Sequence, residues 1–323
     1  MSDFDTKNSA VVPGDAKKFD GRSFAAAKLE RVRQQVQDWQ QTHLIGLTMV
    51  SIYPPEDEAS VLYTKLKKRD ALGVGIQYVT KPISLKASRH EWLKAVMQVN
   101  QDPKVQALLV QKPSGVVYEK VTKGKGEEFS TWWNNIAEAL EPRKDVDCLA
   151  PWSLFLLEKE AECVTVRKHA ERDNLSEWIL PATAQAVIDI ALEAVGSVEA
   201  LREKKVVVIG RSVIVGRPAA AGFTVLGAET QLVSSKDTLS EILPSADIIV
   251  TATGVADLIP ADWVKEGSVL IDVGAPKPEF QIACYDKASF YTPVPYGVGP
   301  VTRACLLENV FKLPTLAEYA TFR

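Results

Sequence analysis

The chain has 323 residues and a mass of 35.4 kDa, with 46% hydrophobic, 24% charged and 8% aromatic side chains and a formal net charge of -3. That length suits about two domains, and so much apolar side chain excludes a largely disordered chain. A pI near 5.8 argues against a nucleic-acid partner, the apolar runs are too short to span a bilayer, and MSDFDTKNSA carries no secretory signal.

The polar stretch up to about Lys18, with Pro13-Gly14, predicts a loose arm. Gly21–Gln41 has the apolar spacing of an amphipathic helix. Leu44–Ser51 then reads as a buried strand, and Glu58–Gly73 as a helix with Gly73 and Gly75 as stop signals. Gly75–Val79, Lys86–Asn100 and Val105–Gln111 follow as strand, helix and strand. This alternation predicts parallel βαβ units. Glu119–Arg143 is charged and then helical, with Trp132 and Trp133 expected to pack inward. Trp152–Cys163 is a further helix, Thr165–Ser176 a charge-rich surface excursion, and Pro181–Val195 a long helix that connects the halves. Beyond it, Lys205–Gly210, Gln231–Ser234, Ala246–Thr251 and Ser268–Gly274 are Val/Ile-rich runs, as in a parallel sheet covered on both faces. A helix after Thr302 closes the chain.

The residues limit the chemistry. Cys148, Cys163, Cys284 and Cys305 follow no metal-ligand spacing and read as reduced thiols of a cytoplasmic protein. His43, His90 and His169 form no metal pair, so no metal site is expected. The strand KVVVIG runs into Arg211, Ser212, Val215, Gly216 and Pro218. A glycine-bearing turn from strand to helix offers backbone N–H groups to a phosphate. With only Gly210 and Gly216 present it is equally an ordinary strand-to-helix turn. The next strand ends Val233-Ser234-Ser235-Lys236, with no carboxylate before Asp237. Ser234, Ser235 and Lys236, with Arg211 nearby, suit the 2′-phosphate of NADP rather than the ribose of NAD. The other reading makes them turn residues facing water.

At this point GRSVIVGRP, ADIIVTATG, DWVKEGSVLIDVG and YTPVPYGVGPVT resemble signatures of the bifunctional methylenetetrahydrofolate dehydrogenase/cyclohydrolase family. In the first half, Asp20-Gly21, the set Ala59-Ser60-Val61-Leu62-Tyr63 with Lys67, Val110-Gln111-Lys112-Pro113 and Lys144-Asp145-Val146-Asp147 are similar to its motifs in the same order. The resemblance implies two α/β domains, the C-terminal one a Rossmann-like parallel sheet, joined by long helices with a cleft between them. Residues 1–179 would bind folate, 180–302 would bind NADP, and the helix 303–323 would pack back on the first domain. It implies oxidation of 5,10-methylenetetrahydrofolate to the methenyl form, hydrolysis to 10-formyltetrahydrofolate, and a homodimer. Tyr63 would stack on the folate, Lys67 would be catalytic, Gln111 would bond to it and Asp147 would hold the pterin. Pro295, Gly297, Gly299 and Pro300 would complete the substrate site. Thr253, Gly254, Asp272 and Gly274 would join Gly210, Arg211, Ser212, Val215, Gly216, Pro218, Ser234 and Ser235 around the cofactor.

The physical logic stands beside the resemblance. Hydride leaves a carbon flanked by two nitrogens, so that step needs orientation more than acid–base help. Hydrolysis needs water attack and proton transfer, for which a lysine serves if its pKa is depressed. On a helix, Tyr63 and Lys67 share a face. Taken singly, Lys67 reads as a solvated lysine in a basic run and Asp147 as an N-cap before the helix at Trp152; only the joint order of the motifs reverses that reading. The sequence departs from the family at Lys112, Ser114-Gly115, Cys148, Pro181–Ala186 and Tyr296, and in the segments near Glu119–Trp133 and Thr165–Ser176. Those departures bear on substrate detail and on the second activity. A Rossmann dehydrogenase of another substrate and a non-catalytic binding protein are the alternatives.

Overall fold

A computed structural model describes residues 17–124, 126–167, 175 and 178–321. It opens with the strand β1 (Lys17–Lys18) and the helix α1 (Gly21–His43). Asp20 starts α1: its Oδ1 accepts from the backbone N–H of Arg22 and of Ser23, both at 3.1 Å. Two donors without helical partners are thereby satisfied. Ala25, Lys28, Val32, Val36 and Trp39 form the buried stripe. The helix stops where Leu44 turns left-handed at φ 57° and points into solvent, 88% exposed. The first buried strand therefore starts later than the run Leu44–Ser51 suggests, as β2 (Thr48–Tyr53).

Next come α2 (Glu58–Gly73), β3 (Gln77–Pro82), α3 (Arg89–Gln101) and β4 (Ala107–Val110). The strands form a parallel sheet in the order β3-β2-β4. α3 begins at Arg89, not Lys86, because Ser88 and Glu91 close a capping box. The region expected to be charged and then helical holds two short helices, α4 (Gly115–Thr122) and α5 (Phe129–Glu138). Trp132 and Trp133 are buried there, and Trp132 meets Trp92 edge-on at 5.2 Å between centroids. α6 (Pro151–Arg167) runs past its expected end at Cys163. Of the expected surface excursion, Thr165–Arg167 are helical, Leu175 is buried, and residues 168–174 and 176 lie outside the described residues.

α7 (Ala182–Val195) and α8 (Val198–Arg202) lead into the larger sheet. Its elements are β5 (Lys205–Ile209), α9 (Gly216–Val225), β6 (Glu229–Val233), α10 (Leu239–Ile242), β7 (Ile248–Thr251), β8 (Val269–Asp272) and β9 (Phe290–Tyr291). All pairs are parallel, in the order β1-β9-β8-β7-β5-β6. β7 and β8 are buried along their whole length, as strands covered on both faces must be. The arm is corrected at its end: Lys17–Lys18 pairs with β9, so the N-terminus of the first half completes the sheet of the second.

The last helix, α11 (Val298–Thr321), starts before Thr302 and packs on α1, α7 and α2. One apolar cluster runs from Met49 and Leu109 through these helices to Val206 and Ile248. The two sheets thus share a core built from long helices. In the smaller sheet β2 lies between β3 and β4, and in the larger one β5 lies between β6 and β7, so the successors of each leave on opposite sides. This arrangement opens a crevice at the carboxyl ends, where α/β proteins bind ligands.

Candidate active site

The first crevice lies at the carboxyl end of β4. The Gln111 N–H bonds Ile52 O at 2.8 Å, which fixes the strand end. Its side-chain Oε1 accepts from Lys67 Nζ at 2.9 Å. Lys67 comes from α2 and is only 8% exposed. Burial holds its pKa below the ordinary lysine value; the Asp147 charge opposes that shift and the Arg303 charge adds to it. Asp147 is pushed the other way, upward, by its own burial, against Lys67 and a backbone donor. Both groups are displaced toward their neutral forms.

That donor is the N–H of Ala182, 2.8 Å from Asp147 Oδ1. Asp147 therefore sits at the start of α7, where the helix dipole favours a carboxylate, and does not cap α6. The donor ahead of α6 goes to Asp145, whose Oδ2 accepts from the Ala150 N–H at 2.7 Å and whose pKa burial pushes up to about 7. Tyr63, one helical turn before Lys67, leaves its ring 43% exposed. Arg303 reaches from α11 to donate Nε–H to Asp70 Oδ2 at 2.6 Å, which binds the last helix to the helix that carries Lys67.

The second crevice lies where β6 and β7 leave β5 on opposite sides. Gly210 ends β5 at φ 116°, and a Cβ there would stand 2.4 Å from Ala252 O. A Cβ on Gly216, at the start of α9, would fall 1.7 Å from Gly210 O. Only glycine allows strand, turn and helix to close so tightly, and a glycine turn of this kind is where dinucleotide-binding α/β folds place a phosphate. Ser212 Oγ braces the turn by accepting from the Val215 and Gly216 N–H groups at 3.2 and 3.4 Å. Pro218 occupies the first turn of α9, where a missing N–H costs no helical bond. At the end of β6, Asp237 folds back to accept from the Ser234 N–H at 2.6 Å and pairs with Arg211 at 3.3 Å.

Two matched family models cover most of the chain. The tetrahydrofolate dehydrogenase/cyclohydrolase catalytic domain matches residues 19–147, and the NAD(P)-binding domain of the same description matches residues 181–317. The chain belongs to the tetrahydrofolate dehydrogenase/cyclohydrolase family. The protein named "Bifunctional protein FolD" of Lactobacillus delbrueckii is 33% identical over 91% of this chain and 95% of its own. Its namesake in Magnetococcus marinus is 31% identical over 90% of this chain and 94% of its own. Among solved structures, the Campylobacter jejuni bifunctional FolD superposes with a TM-score of 0.76 at 28% identity, over 92% of this chain and 97% of that one. The Trypanosoma brucei FolD, solved with NADP cofactor and an inhibitor, gives 0.77 at 25% identity, over 94% and 98%.

In this family member, Lys67 and Gln111 are joined directly, Asp147 acts on Lys67 through its charge, and Tyr63 shares the same helix. Pro295 and Gly297 lie on the loop after β9, and Gly299 and Pro300 in the first turn of α11. That loop and the segment before α1 line a cavity of about 310 Å3 in which the Arg22 guanidinium stacks 3.7 Å from the Tyr296 ring centroid. Around the nucleotide crevice, the polar groups of Thr253 and Gly254 are already engaged. The buried Glu279 accepts from the Thr253 hydroxyl at 2.6 Å and from the Gly254 N–H at 2.7 Å. The Asp272 carboxylate accepts from the N–H groups of Gly274 and Glu279, both at 2.8 Å. These residues shape the wall with bonds among themselves, and the sequence reading missed Glu279 as their common acceptor.

Two departures from the family motifs adopt a left-handed backbone, a region that favours glycine. Cys148 adopts φ 49° and Tyr296 φ 80°. A side chain in that region costs on the order of 1–3 kcal/mol, which packing must offset. The Cys148 thiol donates to Ile179 O at 2.9 Å, and burial raises its pKa so that it stays protonated. Asp70, Arg303 and Asp237 were also missed. Asp237 had a signal, since an Asp three residues past a strand end is a common turn-former. The Asp70–Arg303 pair spans 233 positions and left no local trace.

Proposed function

We propose that the protein oxidises 5,10-methylenetetrahydrofolate with NADP and hydrolyses the methenyl product to 10-formyltetrahydrofolate. The observation that carries this reading is the buried Lys67 amine bonded to Gln111, with Asp147 beside it, in a chain that also holds the glycine-tight turn of a nucleotide site. The relatives' names add support, since the bifunctional FolD proteins solved from other organisms are named for both activities.

The hydride acceptor would be supplied by bound NADP. The Gly210–Gly216 turn would hold its pyrophosphate, with Arg211 and Ser235 at the 2′-phosphate. Tyr63 and Asp147 orient the folate so that its methylene carbon faces the acceptor, and little else is required because two nitrogens stabilise the cation formed. In the hydrolytic step a water oxygen bonds to that cationic carbon and loses a proton. Lys67, whose neutral form is favoured by burial and by the Arg303 charge against the pull of Asp147, takes the proton at Nζ while the Gln111 carbonyl fixes its direction. Ring opening breaks one carbon–nitrogen bond: Lys67 returns its proton to the departing nitrogen, while the carbinol hydroxyl releases its own proton to solvent and becomes the formyl carbonyl.

Residues 1–179 form the folate-binding part and 180–302 the nucleotide-binding part in this proposal, with 303–323 returning to the first. Residues 303 and onward in α11 share the helix that packs on α1, which supports that division. Among the described residues no helix is long and apolar enough to cross a membrane, and we assign the enzyme to the cytoplasm. The decisive assay follows absorbance with methylenetetrahydrofolate and either nucleotide. NADPH is expected to form faster than NADH; folded protein that yields neither at saturating folate overturns the proposal. β6 lies at an open edge of the larger sheet, and pairing of this edge with a second copy gives a two-fold dimer. Sedimentation is expected to show that dimer; a lone 35.4 kDa species at micromolar concentration overturns it.

A further inference from the structure

We propose that Asp237 limits the preference for NADP over NAD by competing with the 2′-phosphate for Arg211. The inference rests on the nucleotide reading of the β5–α9 crevice and goes beyond it. Sites for NAD place a carboxylate near the ribose hydroxyls after the second strand, whereas sites for NADP place an arginine there for the phosphate. This chain has both, and they are bonded to each other: Arg211 Nη2 lies 3.3 Å from Asp237 Oδ2.

The two partners are unequal. Asp237 is anchored, because the same Oδ2 accepts from the Ser234 N–H at 2.6 Å. That backbone donor and the Arg211 charge hold its pKa below the ordinary carboxylate value, so it is ionised at neutral pH. Among the described residues Arg211 has no such anchor, and its side chain is 59% exposed, so it is the more mobile partner. The other cation of the turn is Lys236, whose backbone N–H bonds Ser234 Oγ at 3.3 Å. A phosphate that recruits Arg211 must take the guanidinium from a fixed carboxylate and remain close to that negative charge. A ribose 2′-hydroxyl meets the reverse situation, since the carboxylate is an acceptor for it.

The test uses the fragments 2′,5′-ADP and 5′-AMP, which report on the site without folate chemistry. Asp237→Asn keeps an oxygen for the Ser234 N–H and nearly the same volume, but removes the charge. Its ratio of 2′,5′-ADP to 5′-AMP affinity is expected to rise about three- to fivefold, the scale of an exposed charge pair. In an Arg211→Ala background the same substitution is expected to lose most of that gain, because the competition no longer has an object. An unchanged ratio in Asp237→Asn, an equal gain without Arg211, or no binding of either fragment each overturns the proposal. Fragments that bind as expected, in protein that gives no NADPH with methylenetetrahydrofolate, leave this inference standing and overturn the folate reading instead.

Discussion

Lys67→Met is expected to lower methenyl hydrolysis by about 10²–10⁴, the usual contribution of a placed acid–base group, while part of the hydride transfer survives. The substitution keeps an unbranched apolar stem in a buried slot and deletes the nitrogen that bonds Gln111 at 2.9 Å. In the proposed mechanism hydride transfer relies on Tyr63 and Asp147 for orientation, and neither is altered. Wild-type hydrolysis is expected to rise with pH through the depressed Lys67 pKa, because burial and the Arg303 charge favour the neutral amine that accepts a proton. That limb of the profile is expected to vanish in Lys67→Met. Hydrolysis by the variant at the wild-type rate would make Lys67 a bystander. Equal loss of both activities would make it a binding residue and remove it from the proton path.

The sequence showed this site through its motifs and concealed the forces within it. Tyr63, Lys67, Gln111 and Asp147 were recognisable because their order matched a family, yet on local grounds Lys67 looked like a solvated lysine among Lys65, Lys68 and Arg69. Burial of its amine is a tertiary fact: α11 covers α2 and brings Arg303 to Asp70 across 233 residues. β6, expected to be buried over Gln231–Ser234, is an edge strand in which only Val233 is fully buried, whereas β5, β7 and β8 were legible because fully covered parallel strands need unbroken Val and Ile. Strand starts were less so, since a left-handed stop such as Leu44 looks apolar in the sequence and is decided by helix termination. The pairing of Lys17–Lys18 with β9 could not be read at all, because a two-residue exposed strand leaves no periodic pattern.

Gly216→Ala is expected to break the nucleotide site and to destabilise the fold, and the reason is geometric. The added methyl would stand 1.7 Å from Gly210 O, a main-chain atom that no rotamer change can move aside. Gly210 is itself confined, since its own α-carbon faces Ala252 O and its backbone sits at φ 116°. The N-terminus of α9 must therefore retreat from the end of β5. Ser212 would then lose its bonds to the Val215 and Gly216 N–H groups at 3.2 and 3.4 Å, and the cradle for a pyrophosphate would open. Overpacking of this kind costs about 1–3 kcal/mol, which urea unfolding would show as a lower midpoint with an unchanged slope. Gly73→Ala is the matched control, because a Cβ there meets nothing within 4 Å and the residue is helical. That variant is expected to be as stable as wild type or slightly more so. NADP at saturating concentration is expected to raise the midpoint of wild type and of Gly73→Ala, and to leave that of Gly216→Ala almost unmoved. Equal stabilisation of all three by NADP would mean that the nucleotide does not bind at the β5–α9 turn.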